Sequence, residues 1–233
     1  MSFWFVVPAA GVGSRFGGDE PKQYALLAGK TVIEHTLERL LAVKPSGIVV
    51  AIHPDDQRWQ TLDISRHPLI RSVTGGTERV HSVSHALAAL AEQAADDDWV
   101  LVHDVARPCV RIEDIQRLQE TLKDSSVGGI LAAPVSDTIK IVADGCKITR
   151  TQNRSTLWSA MTPQMFRYAL LSDSLTQALL QKIIPTDEAM AVELAGFSPE
   201  VVPGCRDNIK ITREEDMAIA TAILAWQVEQ RGE

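Results

Sequence analysis

The sequence predicts an α/β fold, a mostly parallel sheet with helices packed on its faces, and three observations lead there. Short apolar runs alternate with helical periods along the 233 residues. The runs are solidly apolar rather than alternating, as expected of strands buried on both faces of a parallel sheet. Hydrophobic residues make up 45% of the chain and aromatics only 5%. A substantial core can therefore form, and it must come mainly from Val, Ile, Leu and Ala. The length suits one large domain, residues 1–233, better than two small ones.

The elements follow in chain order. Residues 3–8 form the first apolar run, and Ile48 to Ile52, Trp99 to Val102 and Gly129 to Ala133 are further strand candidates, with another strand ending near residue 73. Helical periods lie between them. Residues 31–43 place Val32, Leu37, Leu40 and Leu41 on roughly one face, and residues 78–95 space Val80, Val83, Leu87 and Leu90 three and four apart. Similar patterns cover 112–122 and 166–180, and the last helix, 213–230, continues the period through Met217, Ile219, Ile223, Leu224 and Val228. This alternation is that of an α/β sandwich.

One stretch breaks the rhythm. Residues 134–160 carry polar β-like pieces, Asp137 to Val142 and Lys147 to Thr151, around Asp144-Gly145. That dipeptide is a hairpin signal. A hairpin inserted into an α/β domain is a candidate protruding arm for oligomerisation.

Composition removes several function classes. A net charge of −7 opposes binding to DNA or RNA, while leaving room for a local basic pocket. The apolar N-terminus is short, lacks a basic lead-in and runs into a Gly-rich loop, so it does not read as a signal peptide. No apolar run approaches a membrane span. Cys109, Cys146 and Cys205 are odd in number and have no metal-ligand spacing. They are expected to be reduced thiols in a cytoplasmic protein.

Ligands of open α/β sheets bind beyond the carboxyl ends of the strands, so the segments after each strand hold the candidate site. The first is Pro8-Ala9-Ala10-Gly11-Val12-Gly13-Ser14-Arg15, continuing to Pro21-Lys22-Gln23-Tyr24. Its small residues let backbone N–H groups approach and cradle phosphate oxygens. A dinucleotide pattern would need Gly where Phe16 stands, and a P-loop would need Lys where Asp19 follows Gly18. What remains is a Gly-rich loop with two cations, Arg15 and Lys22, suited to a polyphosphate whose charge grows on reaction.

The second segment is Thr74-Gly75-Gly76-Thr77-Glu78-Arg79 with Ser82. Its glycines allow close backbone approach, although Thr77 reads equally as a helix cap and Ser82 as a helix surface residue. The third is His103-Asp104-Val105-Ala106-Arg107-Pro108. Asp104 at a strand end is placed to hold Mg²⁺ or a ribose hydroxyl, or to pair with Arg107; His103 is given no role. Later, Thr186-Asp187-Glu188 precedes a helix that Thr186 could cap. Lys210 lies in a β-like run between Ile209 and Ile211 and is expected to point away from their apolar face.

Together and in this order, these segments resemble the 2-C-methyl-D-erythritol 4-phosphate cytidylyltransferase family. The resemblance runs nearly end to end. It also includes Asp137-Thr138-x-Lys140, Leu157-Trp158-x-Ala160-x-Thr162-Pro163-Gln164 and Asp207-Asn208-Ile209-Lys210. It implies a single nucleotidyltransferase domain with a Rossmann-like sheet, and an arm that builds a homodimer. The loop from Ala9 to Lys22, with Gly11 and Gly13, would wrap the triphosphate of CTP. Arg15 and Lys22 would stabilise the transition state. Ala9, Ala10, Gly76 and Ser82 would hold cytosine. Asp104 would lie near ribose, phosphates and Mg²⁺, the metal being held mostly by the CTP phosphates. Arg154 and Lys210 would position a polyol phosphate surrounded by Thr138, Thr162 and Thr186, with Arg154 serving the neighbouring subunit. Some members are fused to a cyclodiphosphate synthase; the chain stops soon after its last helix, so the unfused form is expected.

The implied reaction joins an ionised phosphate monoester to the α-phosphorus of CTP, so no general base is needed, and none of the motifs offers a His–carboxylate pair for one. One rival is a cytidylyltransferase for ribitol 5-phosphate, which would share the nucleotide half. A non-catalytic nucleotide-binding protein is another, against which the paired cations speak. A short-chain dehydrogenase would need Tyr-x-x-x-Lys, but Ala28 and Ser172 stand four residues after Tyr24 and Tyr168.

Overall fold

The computed structural model describes residues 2–11, 13, 16–17 and 21–231. At its centre is a seven-stranded sheet. The strands in chain order are β1 (Phe3–Ala9), β4 (Gly47–Ile52), β5 (Ile70–Thr74), β6 (Trp99–Val102), β7 (Gly128–Pro134), β10 (Trp158–Arg167) and β11 (Glu200–Pro203). Two small hairpins supply the remaining strands, β2 (Leu26–Leu27) with β3 (Lys30–Thr31), and β8 (Ile139–Ala143) with β9 (Lys147–Gln152). The spatial order is β11-β7-β10-β6-β1-β4-β5. Every pairing is parallel except those of β10, which runs antiparallel to both β6 and β7. The mixed α/β class and the mostly parallel sheet are as the apolar runs predict.

Each face of the sheet carries its own helices because the strands are apolar on both sides. On one face Phe5, Val7, Ile48 and Leu101 pack against α1 (Val32–Ala42) and α3 (Ile112–Leu122) through Ile33, Leu37, Ile115 and Leu118. On the other, Val6, Val49, Val100 and Phe166 meet α2 (Arg79–Ala88), α4 (Tyr168–Leu180) and α5 (Glu188–Leu194). Burying each such side chain contributes about 1.5–3 kcal/mol. The terminal helix α6 (Asp216–Arg231) covers a third cluster through Ala220 and Leu224, packed against Leu27, Val32 and Ile211. Thr31 starts α1 with a reciprocal cap, its hydroxyl accepting from the Glu34 amide while Glu34 accepts from the Thr31 amide. No described helix is long and apolar enough to cross a membrane.

Several of these assignments move relative to the sequence reading. The helix expected over 166–180 starts at Tyr168, because Phe166 and Arg167 finish β10 against β6. The period over 78–95 forms a helix only to Ala88; tighter turns follow. Asp187, rather than Thr186, caps α5, its carboxylate accepting from the Met190 amide. The hairpin at 134–160 is present, but residues 158–160 pair with β7 as part of β10, so the projecting piece lies between them and Pro134. Its turn has three residues, Asp144 to Cys146, with Gly145 and Cys146 both at positive φ.

Candidate active site

A cleft of about 420 Å³ opens at the carboxyl ends of β1, β5 and β6. The loop after β1 forms one wall through Ala9, Ala10, Gly11 and Gly13. Buried Gln23 holds it in place by donating to the Ala9 carbonyl at 3.0 Å. Gly13 has φ +69° and lies against the Lys22 backbone, a conformation that side-chain-bearing residues rarely take. Lys22 itself lines the cleft, its Nζ donating to the Ile211 carbonyl at 3.2 Å. Arg15 lies outside the described residues.

The second wall is Gly76 to Arg79 with Ser82. Ser82 is buried rather than on the helix surface, and its hydroxyl accepts from the Gly76 amide at 3.1 Å. At Gly75 a Cβ would stand 2.4 Å from the Ala10 Cβ and 2.9 Å from Ser82 Oγ. The two loops therefore touch because no side chain is there.

The floor is ionic. Asp104, 7% exposed, receives Arg79 Nε on Oδ1 at 2.9 Å and Lys210 Nζ on Oδ2 at 2.7 Å, with Arg107 Nε at 3.8 Å. Burial alone would raise the Asp104 pKa, but Arg79, Lys210 and Arg107 hold it well below the ordinary carboxylate range. Arg79 also forks onto Glu188 at 2.6 and 3.0 Å. Glu188 is 1% exposed. The segment around Lys210 forms no strand; it is held by the Ile211 amide, which donates to the Ala106 carbonyl at 2.8 Å. Ile211 turns into the core and Lys210 turns toward Asp104, so the expectation that it points away from the apolar face agrees with the geometry.

Ala9, Ala10, Gly11, Gly13, Lys22, Gly76, Ser82, Asp104 and Lys210 thus line one cleft. Thr162 lies beneath it, 4% exposed, where its hydroxyl accepts from the Asp104 amide. Thr138, Arg154 and Thr186 are exposed and do not line the cleft within this chain. Arg154 is on the arm side, bonded to the Ser136 carbonyl. Asp104 does not suit direct coordination of Mg²⁺. Both its oxygens face cations, whereas a hard divalent ion needs oxygen donors turned toward it. Among the described residues no three His, Cys, Asp or Glu converge as a metal set.

Sequence reading missed the structural importance of Arg79, Gln23 and Glu188. Each lies inside a segment that carries the resemblance. The only signal available was that a charged residue within an apolar period, such as Glu188 before Ala189, must find a partner if buried.

Comparisons with known proteins point to one family. The sequence profile of the family described as 2-C-methyl-D-erythritol 4-phosphate cytidylyltransferase matches residues 3–226. A Vibrio vulnificus protein of that name is 48% identical over 227 residues, covering 97% of this chain and 96% of the relative. One from Pseudomonas putida is 46% identical over 218 residues, covering 93% of each. The crystal structure of the Francisella tularensis protein of that name superposes with a TM-score of 0.81 at 36% identity, covering 96% of this chain and all of that one. A crystal structure of a 4-diphosphocytidyl-2C-methyl-D-erythritol synthase gives 0.83 at 36% identity, covering 96% and 98%.

Proposed function

Because the chain belongs to the 2-C-methyl-D-erythritol 4-phosphate cytidylyltransferase family, we propose how its own residues divide the family's reaction among them. The protein is a nucleotidyltransferase of isoprenoid precursor synthesis. It transfers CMP from CTP to 2-C-methyl-D-erythritol 4-phosphate, giving 4-diphosphocytidyl-2-C-methyl-D-erythritol and pyrophosphate. The observation that carries the assignment of roles is the single cleft in which a Gly-rich backbone loop, Lys22 and the Asp104–Lys210 pair meet.

In this reading the whole chain acts as one nucleotidyltransferase domain. The backbone of Ala9, Ala10 and Gly76, shaped by Ser82, holds cytosine. The loop from Gly11 and Gly13 to Lys22, with Arg15, encloses the triphosphate. An oxygen of the polyol phosphate attacks the α-phosphorus in line and pyrophosphate leaves from the opposite side. Two anions must be brought together, so the protein's work is positioning and cationic stabilisation. Lys22 and Arg15 supply charge where it builds on the α-phosphate. Lys210, held by Asp104, draws the polyol phosphate toward it. Mg²⁺ would arrive with the CTP phosphates and neutralise part of their charge.

Thr138, Arg154 and Thr186 complete the polyol side in a homodimer, Thr138 and Arg154 coming from the partner subunit's arm. Supporting this is the apolar surface the arm offers: Val142 and Ile148, directly paired across β8 and β9, are 56% and 62% exposed. A cytoplasmic setting belongs to the same reading, and the three unpaired cysteines suit a reducing compartment.

Phosphorus NMR tests the assignment. With CTP, Mg²⁺ and methylerythritol phosphate, one cytidine diphosphate diester and pyrophosphate should accumulate in equal amounts. Loss of CTP without that diester would contradict it.

A further inference from the structure

His103 stands fully buried just after β6, and its two ring nitrogens meet different partners. Nε2 lies 3.1 Å from the Arg107 carbonyl oxygen, and Nδ1 lies 3.1 Å from Thr162 Oγ1. A carbonyl only accepts, so Nε2 carries the hydrogen. Among the described residues neither nitrogen is hydrogen-bonded to a carboxylate, and burial favours the neutral ring. Nδ1 is then bare and accepts from the Thr162 hydroxyl. That hydroxyl accepts in turn from the Asp104 amide at 3.0 Å. Every proton along this path is thereby assigned, and the single hydrogen of Thr162 points inward, away from any ligand.

The same ring closes the turn that carries the ionic floor. The Arg107 amide donates to the Asp104 carbonyl at 3.0 Å. Arg107 Nη1 donates to the Asn208 carbonyl at 2.7 Å, and Asn208 Nδ2 donates to the Thr162 carbonyl at 2.8 Å. Two residues beyond Asn208 is Lys210, paired with Asp104. The end of β6, the middle of β10 and the segment bearing Lys210 therefore meet around one imidazole.

We infer that His103 is a positioning residue for the transfer: with its tautomer set as Nε2–H by the Arg107 carbonyl, it acts chiefly through the Nδ1 acceptor and Thr162 to fix the turn that aims Asp104 at Lys210, and Thr162 supports that turn instead of donating to the polyol phosphate. This rests on the cytidylyltransferase reading for its kinetic consequence but not for its proton assignment.

The tests separate the two. Long-range ¹H–¹⁵N spectra of the wild-type ring should find Nε2 protonated and Nδ1 bare; a proton on Nδ1 overturns the inference whatever the protein turns over. In kinetics, His103→Asn keeps an acceptor near the Nδ1 position, His103→Gln keeps only a donor near Nε2, and His103→Leu keeps neither. His103→Leu and His103→Gln should lower kcat with methylerythritol phosphate by roughly 10- to 100-fold, a misplacement effect, with KM for CTP moved less than about twofold. His103→Asn should recover at least about half of the wild-type rate, the acceptor being the part that matters. If His103→Leu does not fold, Thr162 carries the test. Thr162→Val should match the predicted loss, Thr162→Ser should restore most of the rate, and a double variant should be no worse than either single one, since contacting residues in one network do not add. A Thr162→Val defect confined to KM for the polyol phosphate would overturn it, as would His103→Asn performing as poorly as His103→Leu.

Discussion

Lys22 lines the cleft and is held by the carbonyl of Ile211, the residue next to Lys210 of the Asp104–Lys210 pair. If it meets the charge that grows during transfer, Lys22→Ala should lower kcat by roughly 10²–10³-fold, equivalent to about 2.7–4 kcal/mol, the loss typical of one such donor. A rate within twofold of wild type would remove Lys22 from the reaction. Arg79 works differently. It touches two carboxylates that are nearly sealed from solvent, Asp104 and Glu188. Truncating one partner of a buried pair leaves the other charge stranded, at a cost of about 3–5 kcal/mol. Arg79→Met should therefore lower the melting temperature as well as activity, whereas Lys22→Ala should leave the melting temperature nearly unchanged. Thermal unfolding of the two variants side by side checks this; equal stability loss would contradict the division between a structural and a catalytic cation.

Among the elements, the two loops forming the nucleotide wall and the arm carry separable predictions. Gly75→Ala would drive a methyl group into Ala10 and Ser82, so one loop must move. Overpacking of this kind costs about 1–3 kcal/mol, and KM for CTP should rise by about tenfold or more as the cradle opens. An unchanged KM would show that the cytosine wall lies elsewhere. On the arm, Val142→Asp together with Ile148→Asp should convert a dimer to a monomer in analytical ultracentrifugation and abolish turnover while leaving CTP binding intact. A dimer that survives both charges would place the interface elsewhere. The elements themselves were largely legible in the sequence. Solid apolar runs marked β1, β4 and β6, and helical spacing marked α1 and α3. The antiparallel strand β10 was not legible. Its first residues, Trp158 to Ala160, are exposed and form no solid apolar run, its middle is interrupted between Ala160 and Gln164, and its end runs directly into a helix. The cleft was legible as a list of motifs, but its ionic floor was not. That Arg79, Asp104, Glu188 and Lys210 converge depends on long-range packing of α2, β6 and α5, which local spacing cannot encode.

At the scale of the whole molecule, the buried charges set how the fold responds to acid. Burial holds the His103 pKa down to about 4 from an ordinary 6.5. Between these values an unfolded chain binds a proton that the folded one refuses, so stability falls as pH drops through that window and is undiminished above it. The loss is on the order of 3 kcal/mol. Asp104, held low by its three cations, adds a further loss below the unfolded carboxylate value of about 4. Denaturant midpoints between pH 7 and pH 4.5 should therefore fall for the wild type and fall less for His103→Leu; parallel curves would contradict the buried neutral ring. The central claim is the reaction itself, and pyrophosphate release by the wild-type protein measures it most directly. CTP should be offered with Mg²⁺ and either methylerythritol phosphate or ribitol 5-phosphate, with ATP, GTP and UTP as alternative nucleotides. Rapid release only with CTP and methylerythritol phosphate is the predicted result. Equal or faster release with ribitol 5-phosphate, or silence with both polyols from folded protein, would contradict it.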